Sequence, residues 1–121
     1  MTDIIIAILA LNLVQIWLLP MSLNTKNMAW LLSSRDEPID TSLIHQRVER
    51  AKINLQESLP AIFALMLLAL YQDVDISQLA TYWLGLRIVY IPLYMYGVNQ
   101  LRSLVWGGSL VCMILMAIQL V

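Results

Sequence analysis

Apolar residues gather in four stretches separated by short polar punctuation. From Ile4 to Pro20 the chain reads IIIAILALNLVQIWLLP without a charge, and the next charged residue is Lys26. The last stretch, Ser103 to Val121, is also uncharged, while the third, ISQLATYWLGLRIVYIPLYMYGV from Ile76 to Val98, carries Arg87 near its middle. Each matches the roughly 17 to 25 residues that a helix needs to cross a bilayer. The second stretch differs, because Ser58 to Tyr71 offers only fourteen uncharged residues. A span there must recruit residues upstream, which draws Glu57 and Asn54 towards the hydrocarbon. A charge at the centre of a membrane helix costs about 3 kcal/mol even on a lenient scale, so these groups are expected to face protein or water. The pattern predicts spans over about 4–22, 46–71, 76–98 and 103–121 in a single domain.

The connections set the order of these helices in space. The second and third are a few residues long, so helices two, three and four are expected as antiparallel neighbours in an all-α, up-down four-helix bundle. Lys26, Arg35, Arg47, Arg50 and Lys52 cluster in and after the first connection and Arg102 follows the third, whereas the second, QDVDIS, has two aspartates and no Lys or Arg. The positive-inside rule then places connections one and three in the cytoplasm and both termini on the far side, which in a bacterial inner membrane is the periplasm. Asp3 stands where a secretory signal carries basic residues, and no small-x-small cleavage pattern follows, so the first span is expected to be retained.

The polar residues of the second helix are not scattered. At 100° per residue, Arg47, Arg50, Asn54 and Glu57 fall within about 80° of one another, while Glu49, Lys52 and Gln56 point elsewhere. Pro60 lies just beyond this stripe and removes a backbone hydrogen bond, which can open or kink the helix. On the third helix Arg87, Tyr90 and Tyr94 share a face, and Arg102 sits just past the helix end. Glu57 is the natural counter-charge for Arg87 in a span, and a purely structural pair between them is one reading. The other is a site for a small zwitterionic or anionic ligand. Guanidinium forks suit carboxylates, a carboxylate suits an ammonium, and an amide and phenols suit peptide groups.

Composition sharpens the class. The 121 residues are 60% hydrophobic and 12% charged, with a mean hydropathy of +0.76, too few polar side chains to cover a soluble globule of this size. The net charge of -1 leaves no basic patch for nucleic acid. Cys112 is the sole cysteine and lies in an apolar run, which suits a buried structural thiol. His45 has no second histidine or a cysteine beside it to form a metal set, so no metal site is expected. Trp17, Trp30, Trp83 and Trp106 read as interface anchors and packing, Asn12 and Gln15 as interhelical hydrogen-bonding groups, and Asp40, Thr41 or Ser42 as N-caps of the second helix.

The stretch RVERAKINLQESLPAIF resembles the Arg-Ala-x-x-Asn-x-x-Glu-x-x-Pro signature of MAPEG proteins, the membrane-associated proteins in eicosanoid and glutathione metabolism. SSRDEP before it and LRIVYIPLYMYGVNQLRSLVW after it are similar to the bacterial branch, and the likeness covers about residues 4 to 121. The resemblance implies a homotrimer of four-helix subunits with glutathione as co-substrate near the subunit interface. It implies that Arg50, Asn54 and Glu57 hold glutathione, with Lys52 at a further ligand position, that Tyr90 and Tyr94 contribute, and that Arg102 is catalytic through the thiolate. Two residues depart from the pattern, Ser58 where a synthase of the family has tyrosine and Lys52 where other members have histidine or glutamine. The spacing from Tyr90 to Arg102 is one residue longer than in that synthase. The reaction implied is transfer of glutathione to a lipophilic electrophile, or reduction of a lipid hydroperoxide, with membrane lipid as the surroundings. The family also includes non-catalytic lipid-binding members, so a lipid-binding or scaffold protein of the same fold is the alternative, and use of a different small thiol is a third.

Overall fold

The computed structural model describes residues 2–19 and 43–121, and the described residues are helical apart from tight turns. Lys26, Trp30, Arg35 and the candidate caps Asp40, Thr41 and Ser42 lie outside them, as does the side chain of His45. Helix α1 runs over Thr2–Leu13 and continues into a π-helical turn, Val14–Leu18. Helix α2 covers Leu43–Gln72, α3 covers Ser77–Met95 and α4 covers Asn99–Leu120.

Helix α2 does extend well upstream of its uncharged stretch, and it continues through Pro60 without interruption. Beside the proline the Ser58 hydroxyl donates to the Leu55 carbonyl at 2.7 Å, one of the local side-chain bonds that help a helix accommodate such a position. The stretches 46–72 and 99–120 are long and apolar enough to cross a membrane, and Thr2–Leu18 forms a shorter apolar helix. With 19 residues, α3 is roughly 28 Å long, close to the thickness of a bilayer's hydrocarbon core.

Both inner turns are built by one backbone device. At the end of α2 the Val74 N–H donates to the Ala69 carbonyl at 3.0 Å and the Asp73 N–H to the Leu70 carbonyl at 3.4 Å, with Asp73 in the left-handed region at φ 57°. At the end of α3 the Val98 N–H donates to Leu93 at 3.0 Å and the Gly97 N–H to Tyr94 at 3.3 Å, with Gly97 at φ 72°. These are Schellman closures, which satisfy the last carbonyls of a helix and reverse the chain within a few residues. Asp75 then starts the next helix by accepting from the Ser77 N–H at 2.9 Å and the Ser77 hydroxyl at 2.6 Å. These two bonds hold its carboxyl below the usual aspartate value.

The short turns bring α2, α3 and α4 together, with α3 against α4 the most extensive contact and α1 lying on α2 and α3. The buried residues of α2 are Val48, Ala51, Leu55, Ile62, Met66 and Ala69, a helical stripe of spacing three, four and seven. Of these, Leu55, Ile62, Met66 and Ala69 share one core with Trp83 and Ala80 of α3, Cys112 and Met116 of α4, and Ile8 and Leu11 of α1. Cys112 is therefore a buried free thiol, as its apolar setting suggested. Leu67, Leu104 and Ile118 face outward, where lipid tails rather than water would solvate them. Gln15 is buried in the π-helical turn, whereas the Asn12 side-chain carbonyl is buried without a hydrogen-bond partner among the described residues, so the interhelical bond expected of it is not formed there.

Candidate functional site

The helices place the polar residues at one end of the bundle. A cavity of about 230 Å³ is lined by Arg50 and Asn54 of α2, Tyr90 and Tyr94 of α3, and Arg102, Ser103 and Trp106 of α4. Arg50 and Asn54 share a face because four residues separate them, and Tyr90 and Tyr94 do so for the same reason. Arg102 arrives from the first turn of α4, where its own N–H is tied to the Val98 carbonyl at 3.0 Å. Its guanidinium carbon lies 4.5 Å from the centre of the Tyr94 ring. The longer spacing between Tyr90 and Arg102 thus still delivers the arginine to the tyrosine face, through the turn at Gly97.

The aromatic and cationic groups of α3 form one continuous stack. Tyr90 and Tyr94 meet edge to face with centroids 5.6 Å apart and planes at 69°. Arg87 lies 4.7 Å from the Tyr90 ring centre and 6.0 Å from that of Trp83. A guanidinium on an aromatic face gains about 0.5 to 2 kcal/mol, more as water is removed. The stack therefore holds Arg102 and Arg87 at defined positions without drawing on carboxylates. Among the described residues no acidic side chain lines the first cavity, and its two guanidinium groups have the chemistry to take an anion.

Glu57 does not line that cavity. It lies in an adjoining one, of about 270 Å³, with Ser58, Ala61, Trp83, Arg87, Ser109 and Met113 among its walls. Asn54 and Trp106 line both cavities, so the two are neighbours across these side chains. Glu57 and Arg87 face the same space, yet the ion pair that was one of the two readings is not formed, and Arg87 leaves Nε and Nη2 without hydrogen-bond partners among the described residues. Lys52 lines neither of these cavities and instead pairs with Glu49 at 2.6 Å, one helical turn earlier. The wheel reading, which set Lys52 away from the stripe, matches this position better than the motif does.

Among the wall residues that were not singled out as site residues from the sequence are Ser103, Trp106 and Ser109. Ser103 and Trp106 follow Arg102 by one and four positions, so the face of α4 that carries Arg102 also carries Trp106. Ser109 is buried and donates to the Trp106 carbonyl at 2.7 Å. The helical spacing from Arg102 was the available signal for Trp106. The same spacing marks Ser109, seven positions beyond Arg102 and three beyond Trp106, and the rotation of α4 against α2 and α3 decides which cavity it lines.

Arg47 completes the region from outside the cavities. Its Nη1 donates to the Met95 carbonyl at 3.0 Å, satisfying one of the last carbonyls of α3. A Cβ added to Gly97 would come 3.1 Å from that guanidinium. The turn that delivers Arg102 is thereby clamped to α2.

The model of the MAPEG family matches residues 4–121. No curated protein and no solved structure matched the chain. The match runs from the first helix to the last residue and includes every residue of both cavities, on an all-helical bundle with two helices able to span a bilayer. The chain is a membrane protein and belongs to the MAPEG family.

Proposed function

We propose that this protein is a membrane-embedded, glutathione-dependent transferase or peroxidase acting on lipophilic electrophiles or lipid hydroperoxides. The observation that carries the reading is the convergence of Arg50, Asn54, Tyr90, Tyr94 and Arg102 on one cavity with Glu57 in the next. Each cavity alone falls below the roughly 300 Å³ at the lower end for small-molecule pockets, and the pair joined across Asn54 and Trp106 falls within the usual range. Glutathione carries two carboxylates, an ammonium and two peptide groups. Arg50 serves a carboxylate, Glu57 the ammonium, and Asn54 with the tyrosine hydroxyls the peptide groups.

Arg102 is the residue assigned to the chemistry. A thiol with a pKa near 8.5 is only a few per cent ionised at neutral pH. Lowering that value by about two units takes roughly 2.7 kcal/mol of preference for the anion, which a guanidinium in a partly dehydrated cleft can supply. The thiolate is then the nucleophile towards an electrophile arriving through the bilayer. Lys52, paired with Glu49, is retained in this reading only as a residue at the outer edge of the site. Arg50 and Glu57 are exposed on the single chain. We assign their cover to neighbouring copies in a homotrimer, because ionisable groups facing lipid would be strongly disfavoured.

Calorimetry of the purified protein with glutathione in detergent tests the reading. Binding is expected, and Arg50→Ala should weaken it by about 1.5 to 3 kcal/mol, roughly ten- to a hundred-fold. Absence of binding to a folded wild-type protein would remove glutathione as the ligand and favour a lipid-binding or scaffold role.

A further inference from the structure

The second cavity contains an acid and a cation that do not pair with each other. Glu57 and Arg87 both line it, and Arg87, only 2% exposed, leaves Nε and Nη2 without an acceptor among the described residues. Its guanidinium stacks on the Tyr90 ring at 4.7 Å and on the Trp83 ring at 6.0 Å, contacts that leave its donating edge open. The buried Nε1 of Trp83, from another wall of the same cavity, also has no acceptor among the described residues. Buried donors are nearly always satisfied in native proteins, and a buried cation without an anion is strongly disfavoured. The cavity therefore suits a ligand that brings an anion to Arg87 and a cation to Glu57 at once.

We infer that Arg87 binds the α-carboxylate of the γ-glutamyl head of glutathione, with Trp83 Nε1 donating to its second oxygen, and that this contact makes the site selective for γ-glutamyl thiols. The inference deepens the proposed function and rests on it. In glutathione the ammonium and one carboxylate are borne by the same carbon. Once Glu57 takes the ammonium, that carboxylate lies in the second cavity beside Arg87, and its two oxygens can answer a guanidinium edge and an indole N–H together. Asn54 and Trp106 line both cavities, and the γ-glutamyl peptide bond crosses at these side chains. The thiol then enters the first cavity with Arg102, and the glycine carboxylate is left to Arg50. A thiol without the γ-glutamyl head leaves Arg87 and Glu57 unmet, and an unmet buried partner is what lets a polar site reject an analogue strongly.

The test is calorimetry of the full chain in detergent with three thiols. They are glutathione, 4-aminobutyryl-cysteinylglycine, which lacks only the α-carboxylate of the head, and the glycine ethyl ester of glutathione, which masks only the other carboxylate. The wild type should bind the 4-aminobutyryl compound roughly ten- to a hundred-fold more weakly than glutathione, the size of a lost charge-assisted contact. Arg87→Met should weaken glutathione and its ester by a similar factor and leave the 4-aminobutyryl compound little changed, a pattern that a merely structural arginine would not produce. Arg50→Ala should still discriminate against the 4-aminobutyryl compound in full but cease to distinguish glutathione from its ester. Equal wild-type binding of glutathione and the 4-aminobutyryl compound overturns the inference, and so does an equal loss for all three thiols in a folded Arg87→Met. Loss of α-carboxylate discrimination in Arg50→Ala assigns that group to Arg50 and also overturns it, even if Arg87→Met fails to fold. If the folded wild type binds no glutathione, the proposed function falls and this inference with it, whereas glutathione binding without head-group discrimination removes this inference alone.

Discussion

The Arg102 guanidinium lies over the face of Tyr94, 4.5 Å from the ring centre, and this contact joins the start of α4 to the end of α3 across the Gly97 turn. It gives the arginine a fixed position in the cavity while leaving its hydrogen-bonding edge available to a ligand. If Arg102 acts mainly on a bound thiolate, Arg102→Ala should depress turnover far more than affinity, the pattern of an interaction that is stronger in the reactive state. Thiolate absorbance near about 240 nm, titrated against pH with glutathione bound, should shift upward in pH. Tyr94→Phe keeps the ring and should preserve most of the shift, whereas Tyr94→Leu should lose it in part. Equal losses of affinity and turnover in Arg102→Ala would make the residue a binding group only.

Gly97 is required by its backbone. At φ 72° an L side chain costs roughly 1 to 2 kcal/mol, and its Cβ would also press on the Arg47 guanidinium. Gly97→Ala should lower the thermal midpoint of the detergent-solubilised protein by several degrees, about what such a loss produces in a chain of this size. Combining it with Arg47→Ala relieves the steric part but leaves the Met95 carbonyl unpaired, so the double variant should fall short of full recovery. Wild-type stability in Gly97→Ala would refute the clamp.

Asp75 makes the start of α3 sensitive to acid. Its folded-state pKa is depressed by the two Ser77 hydrogen bonds, so the stability it contributes is complete above the unfolded value of about 3.9. It is lost as pH falls from there through the lower folded value. Melting curves between about pH 5 and pH 2, above and below the ordinary aspartate range, should show a steeper decline for the wild type than for Asp75→Ala. Parallel declines would mean that the Asp75–Ser77 contact does not couple to unfolding.

The charge pattern makes orientation and assembly testable. A cysteine at Gln72, exposed at the end of α2, should react with a membrane-impermeant thiol reagent from the periplasm, and one at Gln100, exposed at the start of α4, from the cytoplasm. The reverse pattern would overturn the topology drawn from the basic residues. Native mass spectrometry should return a trimer, and a stable, ligand-binding monomer would contradict the proposed cover for Arg50 and Glu57.

Much of this protein is local and was therefore readable along the chain. Hydropathy is a property of each residue, and a helix repeats every 3.6 residues whatever surrounds it. The helices, their short reversals and the common face of Arg50, Asn54 and Glu57 follow from these facts alone. So does the shared face of Arg87, Tyr90 and Tyr94. What the sequence left open was how these faces meet. Glu57 stands three residues beyond Asn54, roughly 4.5 Å further along the axis, and that step moves it from the first cavity into the second. Whether Arg87 pairs with Glu57 or stacks on Tyr90 and Trp83 depends on the rotation of α3 against α2 and α4. The packing of Trp83, Leu55, Ile62 and Met116 settles that rotation. Contacts of this kind join residues far apart in the chain, and no periodicity encodes them; only the close packing of the folded bundle selects one register and one rotation among many.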